Sequence, residues 1–519
     1  MFASSGAAVA EGSPTLETLR RTFGFDSFRP LQGEIVSSLL GGRDVFVLLP
    51  TGGGKSLCYQ LPALLSEGTA VVVSPLIALM KDQVDKLLAM GVSATFINSS
   101  LEPGEVSRRL RAIERGEVKL VYAAPERLML PQFLELLGRL KLSFFAIDEA
   151  HCISEWGHDF RPEYRELRRL RSLFPGVPIG AFTATATRRV QSDIVTQLRL
   201  QDAARFVGSF NRGNLFYEVR PKETAGQGHT QLTTYLREHE LESGIIYCAT
   251  RATTEQLAEK LRVEGFDAVA YHAGLDNDVR RRRQEAFVRD DVSVIVATIA
   301  FGMGIDKPDV RYVVHYDLPK NLEGYYQESG RAGRDGAASE CLLFYSYADA
   351  LKQEHFIREK ESEREQEVAR QQLKQMVDWA DGLGCRREAL LTYFDEESAF
   401  AGPVTPQQRP DSYPPPELCC DNCREPAELV DYTIPAQMFL SCVVKTRERF
   451  GAAHVIDVLR GANTEKVRRF GHESVSTYGI GRDRPQEEWQ YLARQLVKGG
   501  YAVQGDGEYP TLSVGDLGR

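Results

Sequence analysis

Cysteine and long hydrophobic runs are both scarce in this sequence of 519 residues. Nine cysteines are too few for a secreted scaffold stabilised by disulfides. No uninterrupted apolar run reaches the length of about 18 residues that a membrane-spanning helix needs, so we expect no association with membranes. The first residues, MFASSGAAVAEG, contain no basic side chain and are not typical of a secretory signal. We therefore expect a disordered tail over 1–14 and a cytoplasmic protein.

The composition also lacks the extremes of a disordered or fibrous chain, since 43% of the residues are hydrophobic and 26% are charged. The length predicts three or four domains of about 150 residues each. The net charge of -9 does not exclude a nucleic acid partner, because binding depends on local basic surface.

Short β-branched runs alternate with amphipathic helical stretches between about residues 40 and 345, which predicts an α/β fold with parallel sheets. The runs form two groups, which predict one lobe over 15–208 and a second over 209–345. The first group contains 44–49, 70–73, 119–122 and 144–147, and the second contains 244–247, 292–297 and 312–315. Residues 206–221 are the predicted junction, and two lobes imply a cleft between them.

Helical patterns dominate after residue 345. The segment 353–374 is a charged helix, and 401–417 contains six prolines, which predict a loop. We expect a helical subdomain over 346–427. Residues 486–497 are amphipathic, and 501–514 predict a hairpin with a turn at 505–507, so the segment 428–519 is interpreted as a winged-helix module.

A glycine-rich stretch follows the first apolar run and precedes a helical pattern. Its backbone N–H groups can turn toward phosphate, a lysine can reach the β and γ phosphates, and a serine can ligate Mg²⁺. Leu49 stands where the strict Walker pattern has its first glycine. A flexible glycine turn is the alternative, but the flanking strand and helix favour nucleotide binding. The predicted ATP-binding residues here are Thr51, Gly52, Gly53, Gly54, Lys55 and Ser56.

Two carboxylates, Asp148 and Glu149, stand at the end of a later apolar run, in the order Asp-Glu-Ala-His. A carboxylate at the tip of a buried strand beside a phosphate loop can hold Mg²⁺, which we predict for Asp148. Its neighbour Glu149 can orient and deprotonate the attacking water.

The order PTGGGKS, DEAH, FTATA, YHAGL, ATIAFGMGIDKPDV and YYQESGRAGRDG resembles superfamily 2 helicases, and more narrowly the RecQ family of DNA helicases. The resemblance implies two RecA-like parallel-sheet lobes followed by a helical zinc-binding subdomain and a winged-helix domain. It also implies ATP-dependent movement, 3′ to 5′, along single-stranded DNA, which unwinds duplex or branched DNA in recombination and repair. The cofactors that the resemblance implies are ATP, Mg²⁺ and Zn²⁺. The partners that it implies are DNA, a single-strand-binding protein and other repair proteins, and in a bacterium the protein would be associated with the nucleoid. An RNA helicase, or a remodeller that separates no strands, is the alternative.

Two further sets of residues belong to the predicted ATP site. By resemblance, Phe28, Arg29 and Gln32 lie in the segment that reads adenine, and an amide has both the donor and the acceptor that this edge requires. The spacing of Gln327, Arg331 and Arg334 is near-helical and predicts that they face the cleft. By resemblance Arg334 is the arginine finger, with Arg331 as its competitor.

The segment after Asp148 and Glu149 is rich in aromatic residues, and the resemblance extends over residues 152–164. Glycine, aspartate and proline interrupt any strand there, so an exposed loop is predicted. Such a loop can stack on unpaired bases and report DNA occupancy to the ATP site; an interlobe hinge contact is the alternative. The predicted DNA-sensing residues are Trp156, His158, Phe160, Arg161 and Tyr164.

Four late cysteines predict a structural zinc site. Cys420 and Cys423 form a CxxC pair, and Cys385 matches the first ligand of the family. Cys419 is directly adjacent to Cys420, so three cysteines with another group remain the alternative to four thiolates.

Tyr501 and Tyr509 flank the turn of the terminal hairpin. Tyr509 is a candidate for stacking on the terminal base pair during strand separation. The alternative is that both rings pack the hairpin against its helices.

Overall fold

The computed structural model describes residues 13–99, 101–157, 159–200, 202–222, 224–302, 307–360, 362–396, 414–426, 430–505 and 511–519. The chain divides into two compact units, Met1–Pro426 and Ala427–Arg519. Within the described ranges, no helix combines the length and the apolar character that crossing a bilayer requires.

The first lobe contains a parallel sheet with the strand order β3-β4-β2-β5-β6-β1-β7. Alternate residues of its central strands face two different cores: Phe46 and Leu48 pack on one side, and Val45 and Val47 on the other. Burial of both faces explains why these strands are continuous apolar runs. The strands are β1 (Val45–Leu48), β2 (Thr69–Val73), β3 (Ala94–Ile97), β4 (Leu120–Ala123), β5 (Leu142–Ile147), β6 (Ile179–Thr183) and β7 (Ala204–Val207).

Helices cover both faces of this sheet and bury the apolar side chains of each face. A π-helical turn, Leu19–Phe23, follows the first helix, and 3₁₀ turns form at Ala150–Ile153 and Glu166–Arg169. The α-helices are α1 (Pro14–Thr18), α2 (Gln32–Leu40), α3 (Lys55–Leu65), α4 (Ile77–Ala89), α5 (Pro103–Glu114), α6 (Pro125–Leu128), α7 (Pro131–Gly138), α8 (Pro162–Arg165), α9 (Leu170–Leu173) and α10 (Arg188–Gln197).

The second lobe contains a parallel sheet with the order β10-β11-β9-β12-β13-β8. Its helices are α11 (Ala225–Glu238), α12 (Arg251–Val263), α13 (Asn277–Val288) and α14 (Leu322–Ser329). The strands are β8 (Leu215–Pro221), β9 (Ser243–Tyr247), β10 (Ala268–Tyr271), β11 (Val294–Ala297), β12 (Val310–His315) and β13 (Ser339–Tyr345). The two predicted parallel-sheet lobes are thus confirmed.

The predicted junction over 206–221 is wrong at both ends. Residues 206 and 207 complete β7, and the seven residues of β8 form the edge of the second sheet beside β13. Glu218 and Arg220 interrupt the apolar pattern of β8, so its sequence is not typical of a buried strand. The connecting segment is therefore the short stretch 208–214.

A helical region with the four late cysteines belongs to the same compact unit as the lobes. It contains α15 (Tyr347–Arg358), α16 (Glu363–Ala380), α17 (Arg386–Tyr393), a 3₁₀ turn at Pro416–Leu418 and α18 (Asp421–Arg424). The predicted charged helix over 353–374 is in fact parts of α15 and α16. Most of the proline-rich segment, 401–413, lies outside the described residues.

The second unit contains α19 (Thr433–Lys445), α20 (Ala452–Arg460), α21 (Glu465–Arg469), a 3₁₀ turn at His472–Ser474 and α22 (Gln486–Lys498). Strands β14 (Ala502–Gln504) and β15 (Leu512–Val514) pair antiparallel, and a final 3₁₀ turn is Asp516–Gly518. The predicted terminal helix and hairpin are confirmed. The tip, 506–510, lies outside the described residues, and Tyr509 with it.

Candidate active site

The phosphate loop connects β1 to α3, and its backbone conformation requires glycine. Gly52 and Gly54 have φ values of 82° and 77°, in the left-handed region. A Cβ at Gly54 would lie 2.3 Å from Nε2 of Gln32, so a larger residue there would displace the Gln32 amide. Helix α3 begins at Lys55, whose Nζ donates to the Leu49 carbonyl at 3.2 Å. The loop therefore directs a helix N-terminus and a lysine toward one point, as anion binding requires.

A cleft of about 470 Å³ lies over this loop and is bounded by both lobes. Most of the predicted ATP-site residues line it: Arg29, Gln32, Thr51, Gly52, Gly54, Lys55, Ser56, Asp148, Glu149, Gln327, Arg331 and Arg334. Gly53 does not line it, and its N–H closes a turn onto the Pro50 carbonyl. Phe28 does not line it either, and packs instead against the apolar cluster of Leu19 and Val36.

Asp148 and Glu149 follow the carboxyl end of β5 at the floor of the cleft. The hydroxyl of Tyr59 donates to Oδ2 of Asp148 at 3.4 Å, and burial, with the charge of Glu149, raises the pKa of Asp148. Burial lowers the pKa of Lys55, an effect that the two carboxylates oppose. Oε2 of Glu149 is buried without a hydrogen bond among the described residues, 3.4 Å from Nδ1 of His151. This site concentrates opposite charges in a desolvated cleft.

The predicted adenine segment contacts the phosphate loop directly. Oε1 of Gln32 accepts from the Arg29 N–H at 2.9 Å, and its Nε2 donates to the Gly53 carbonyl at 3.2 Å. The Arg29 guanidinium donates to the Gly52 carbonyl. Phe25 also lines the cleft and is half exposed, but it is not among the predicted site residues. The sequence feature that could have indicated it is an aromatic residue close before Arg29 that is not part of an apolar pattern.

The second lobe contributes three side chains to the cleft, as their spacing predicted. Nε2 of Gln327, on α14, donates to Oγ1 of Thr185 at 3.0 Å across the lobes. Arg331 and Arg334 lie beyond the end of α14, so a turn after the helix, and not the helix itself, brings them to the cleft. Arg331 is buried, and its Nε has no hydrogen-bond partner among the described residues. An anionic ligand in the cleft fits this donor.

Trp156 is held by arginines from two other elements. The guanidinium of Arg189, on α10, lies 3.1 Å from the centroid of its ring, and that of Arg364, on α16, lies 5.0 Å away. Arg364 also forms an ion pair with Glu155 at 3.3 Å. We call residues 152–164 the aromatic loop.

The other predicted DNA-sensing residues lie in different environments. Nη1 of Arg161 donates to the Pro75 carbonyl at 2.9 Å, and Phe160 lies beneath the guanidinium of Arg165 at 5.4 Å. His158 lies outside the described residues. The prediction that Tyr164 is exposed is wrong: its ring is buried in the first lobe, and its hydroxyl donates to the backbone carbonyl of Asp148 at 3.1 Å. Pro162 begins α8 and turns Tyr164 inward.

The four late cysteines meet in one cluster, with all Sγ atoms within 4.8 Å of one another. Sγ of Cys385 and of Cys419 are 3.7 Å apart. A tetrahedral zinc with Zn–S bonds of about 2.3 Å has S–S edges of about 3.8 Å, so this spacing fits the ion. The geometry therefore favours four cysteines, including the doubtful Cys419, over three.

Family models match four consecutive stretches of the chain. These are DEAD/DEAH box helicase over 29–194, helicase conserved C-terminal domain over 229–336, RecQ zinc-binding over 347–424 and RQC domain over 426–519. A protein of known structure, S. cerevisiae Dbp5 bound to RNA and ADP BeF3, is 20% identical to this chain with a TM-score of 0.53. The alignment covers 70% of this chain and 97% of that one, and at this identity it shows the fold alone. Fold and site thus define a two-lobed helicase-type ATPase.

Two relatives show which family within this class of ATPases the chain belongs to. The ATP-dependent DNA helicase RecQ of Pasteurella multocida is 45% identical over 489 residues, which cover 94% of this chain and 74% of that protein. The RecQ of Bacillus subtilis is 41% identical over 505 residues, which cover 96% and 82%. The chain belongs to the RecQ family of ATP-dependent DNA helicases.

Proposed function

We propose that this chain hydrolyses ATP to move 3′ to 5′ along single-stranded DNA and thereby separates duplex or branched DNA during recombination and repair. The main support for the proposal is that the phosphate loop and carboxylates of the first lobe line the same cleft as the arginines of the second lobe. Since both lobes supply charged groups to one site, binding and release of ATP can change the separation of the lobes.

Glu149 orients a water molecule in line with the γ-phosphorus and accepts its proton as the bond to the β,γ-bridging oxygen breaks. Lys55, Arg331 and Arg334 stabilise the negative charge that develops on the phosphoryl oxygens. Mg²⁺, when bound, neutralises phosphate charge, and Ser56 and Asp148 would hold it. The concentration of donors in the cleft supports these roles, as does Nε of Arg331, which has no hydrogen-bond partner in the described part of the chain.

A hydrogen-bond path joins the second lobe to the carboxylates. Gln327 bonds Thr185, Oγ1 of Thr183 donates to the Thr185 carbonyl at 3.1 Å, and Nδ1 of His151 lies 2.9 Å from the same Oγ1. His151 is two residues after Glu149. Relative movement of the lobes therefore changes the surroundings of the catalytic carboxylate.

We propose that the aromatic loop reports DNA occupancy. Tyr164 bonds the backbone of Asp148 directly, and Arg161 bonds the loop after β2. If a base stacks on Trp156 and displaces the aromatic loop, these two contacts transmit the displacement to the ATP site. In this proposal Tyr164 transmits the movement of the loop to Asp148, whereas the sequence predicted that it stacks on a base.

The zinc-binding region and the terminal module have supporting roles. Zinc held by the four cysteines contributes folding free energy to its region. The terminal unit binds duplex DNA, and Tyr509 stays a prediction for strand separation. Given bacterial relatives named as RecQ, we further propose that the protein works in the cytoplasm at the nucleoid, with a single-strand-binding protein and other repair proteins.

A strand-displacement assay tests the proposed function. DNA and RNA duplexes carry a 3′ or a 5′ single-stranded tail, and ATP hydrolysis is followed in parallel. We expect unwinding of 3′-tailed DNA, and loss of both activities in Lys55→Ala and in Glu149→Gln, which should still bind nucleotide. Preferential unwinding of RNA, or hydrolysis with no strand separation, would contradict the proposal.

A further inference from the structure

The segment 208–214, which joins the two lobes, carries an arginine whose guanidinium bonds four backbone carbonyls. Nη1 of Arg212 donates to the carbonyls of Thr51 at 3.2 Å and of Gly330 at 3.1 Å. Its Nη2 donates to the carbonyls of Ala332 at 3.0 Å and of Gly333 at 2.9 Å. One acceptor therefore lies in the first lobe and three in the second.

These acceptors lie beside the groups that hydrolyse ATP. Thr51 belongs to the phosphate loop, and the other three carbonyls belong to the turn that contains Arg331 and precedes Arg334. Nη1 of Arg212 lies 3.9 Å from where a Cβ at Gly52 would stand, and Cγ of Arg334 lies 3.7 Å from the same point. Arg212 thus spans the cleft at the phosphate loop.

A second arginine, Arg387, fixes the segment from the zinc-binding region. It is buried and lies two residues after Cys385. Its Nη1 donates to Oδ1 of Asn211 at 2.9 Å and to the Arg212 carbonyl at 2.6 Å, and its Nη2 donates to the Leu215 carbonyl. The backbone of Arg212 is therefore held in place by a side chain of the zinc-binding region.

We infer that Arg212 is a positioning residue for ATP hydrolysis, which sets the separation between the phosphate loop and the turn that carries Arg331 and Arg334. The inference rests on the proposed function. Because three of its four bonds are to the second lobe, Arg212 moves with that lobe, and its bond to Thr51 is the one that opening of the cleft breaks. The planar fork of arginine suits four acceptors, whereas the single ammonium of lysine satisfies fewer in fixed directions.

The test compares Arg212→Ala, Arg212→Lys, Arg334→Ala and the double variant Arg212→Ala/Arg334→Ala. We expect Arg212→Ala to lower kcat of the DNA-stimulated ATPase by about 10- to 100-fold, since small misplacement of catalytic groups has effects of this size. Affinity for a fluorescent ATP analogue should change much less, because the phosphate loop is intact. Arg212→Lys should recover part of kcat. Arg205→Ala, an exposed arginine of β7, is the matched control and should match the wild type.

The double variant identifies the route of the effect. If Arg212 acts by placing Arg334, the double variant should be about as slow as Arg334→Ala alone, because residues that act as a unit are not additive. Fully multiplied losses would indicate that Arg212 acts through Arg331 instead. Unchanged kcat in Arg212→Ala, or a loss of kcat explained by reduced zinc content and melting temperature, would overturn the inference. A different result, wild-type ATPase activity in Lys55→Ala, would contradict the proposed function itself.

Discussion

Arg364 restrains the aromatic loop through two contacts, and its removal gives a measurable prediction. Its guanidinium lies 5.0 Å from the ring centroid of Trp156 and 3.3 Å from a carboxylate oxygen of Glu155. A base that stacks on Trp156 competes with the guanidinium groups for the faces of the same ring. Arg364→Ala should therefore lower the concentration of single-stranded DNA that half-maximally stimulates ATP hydrolysis.

The magnitude follows from the two contacts. An exposed cation–π contact contributes about 0.5 to 1 kcal/mol, and an exposed ion pair about 0.2 to 1 kcal/mol. Their sum is about 0.7 to 2 kcal/mol, and since about 1.4 kcal/mol corresponds to a factor of ten, the half-maximal DNA concentration should fall about 3- to 30-fold. Trp156 retains its contact with Arg189, so the basal rate should change little.

The assay measures phosphate release against the concentration of an oligonucleotide at two salt concentrations. Arg370→Ala is the matched control, because Arg370 is on the same helix, is 46% exposed compared with 63% for Arg364, and pairs with Glu354 rather than with the loop. An unchanged or higher half-maximal concentration in Arg364→Ala would refute the reasoning. If the salt slope also fell by about one, Arg364 would instead be a phosphate contact.

Three further predictions concern zinc, coupling and stability. Cys419→Ala should lose the zinc, about one ion per chain by elemental analysis, and unfold at lower temperature; full retention would exclude Cys419 as a ligand. Trp156→Ala and Arg161→Ala should keep basal ATPase but show blunted stimulation by single-stranded DNA, whereas unchanged stimulation would favour the hinge alternative. Lys222→Met should destabilise the second lobe by about 3 kcal/mol in denaturant titration, because the Lys222 side chain is 7% exposed and its ammonium pairs with two buried carboxylates. Lys352→Met, which removes a 60% exposed partner of the same carboxylates, should cost about 1 kcal/mol or less, and equal losses would contradict the argument.

Much of the ATP site was predictable because its residues stand at the carboxyl ends of strands or just after a helix. Parallel strands bring their carboxyl ends to one edge of a sheet, so the motifs predict that Lys55, Asp148 and the FTATA segment share that edge. The strand order β5-β6-β1, which makes them neighbours, comes from the structure. The edge strands were less predictable. Strand β7 contains Arg205 at an exposed position, and Glu218 and Arg220 interrupt β8, so neither is a continuous apolar run.

The residues that sequence reading missed or misplaced act mainly through backbone groups. Arg212 bonds four carbonyls, and Tyr164 bonds the carbonyl of Asp148; a carbonyl is present at every position, so such contacts leave no pattern in the sequence of the acceptor. For Tyr164 a local signal existed, because proline at the first position of a helix is favoured and Pro162 allowed a short helix that turns the next aromatic residue inward. For Arg212 no local signal existed. Its position depends on Arg387, 175 residues later in the chain, and so on a tertiary contact that only the folded zinc-binding region supplies.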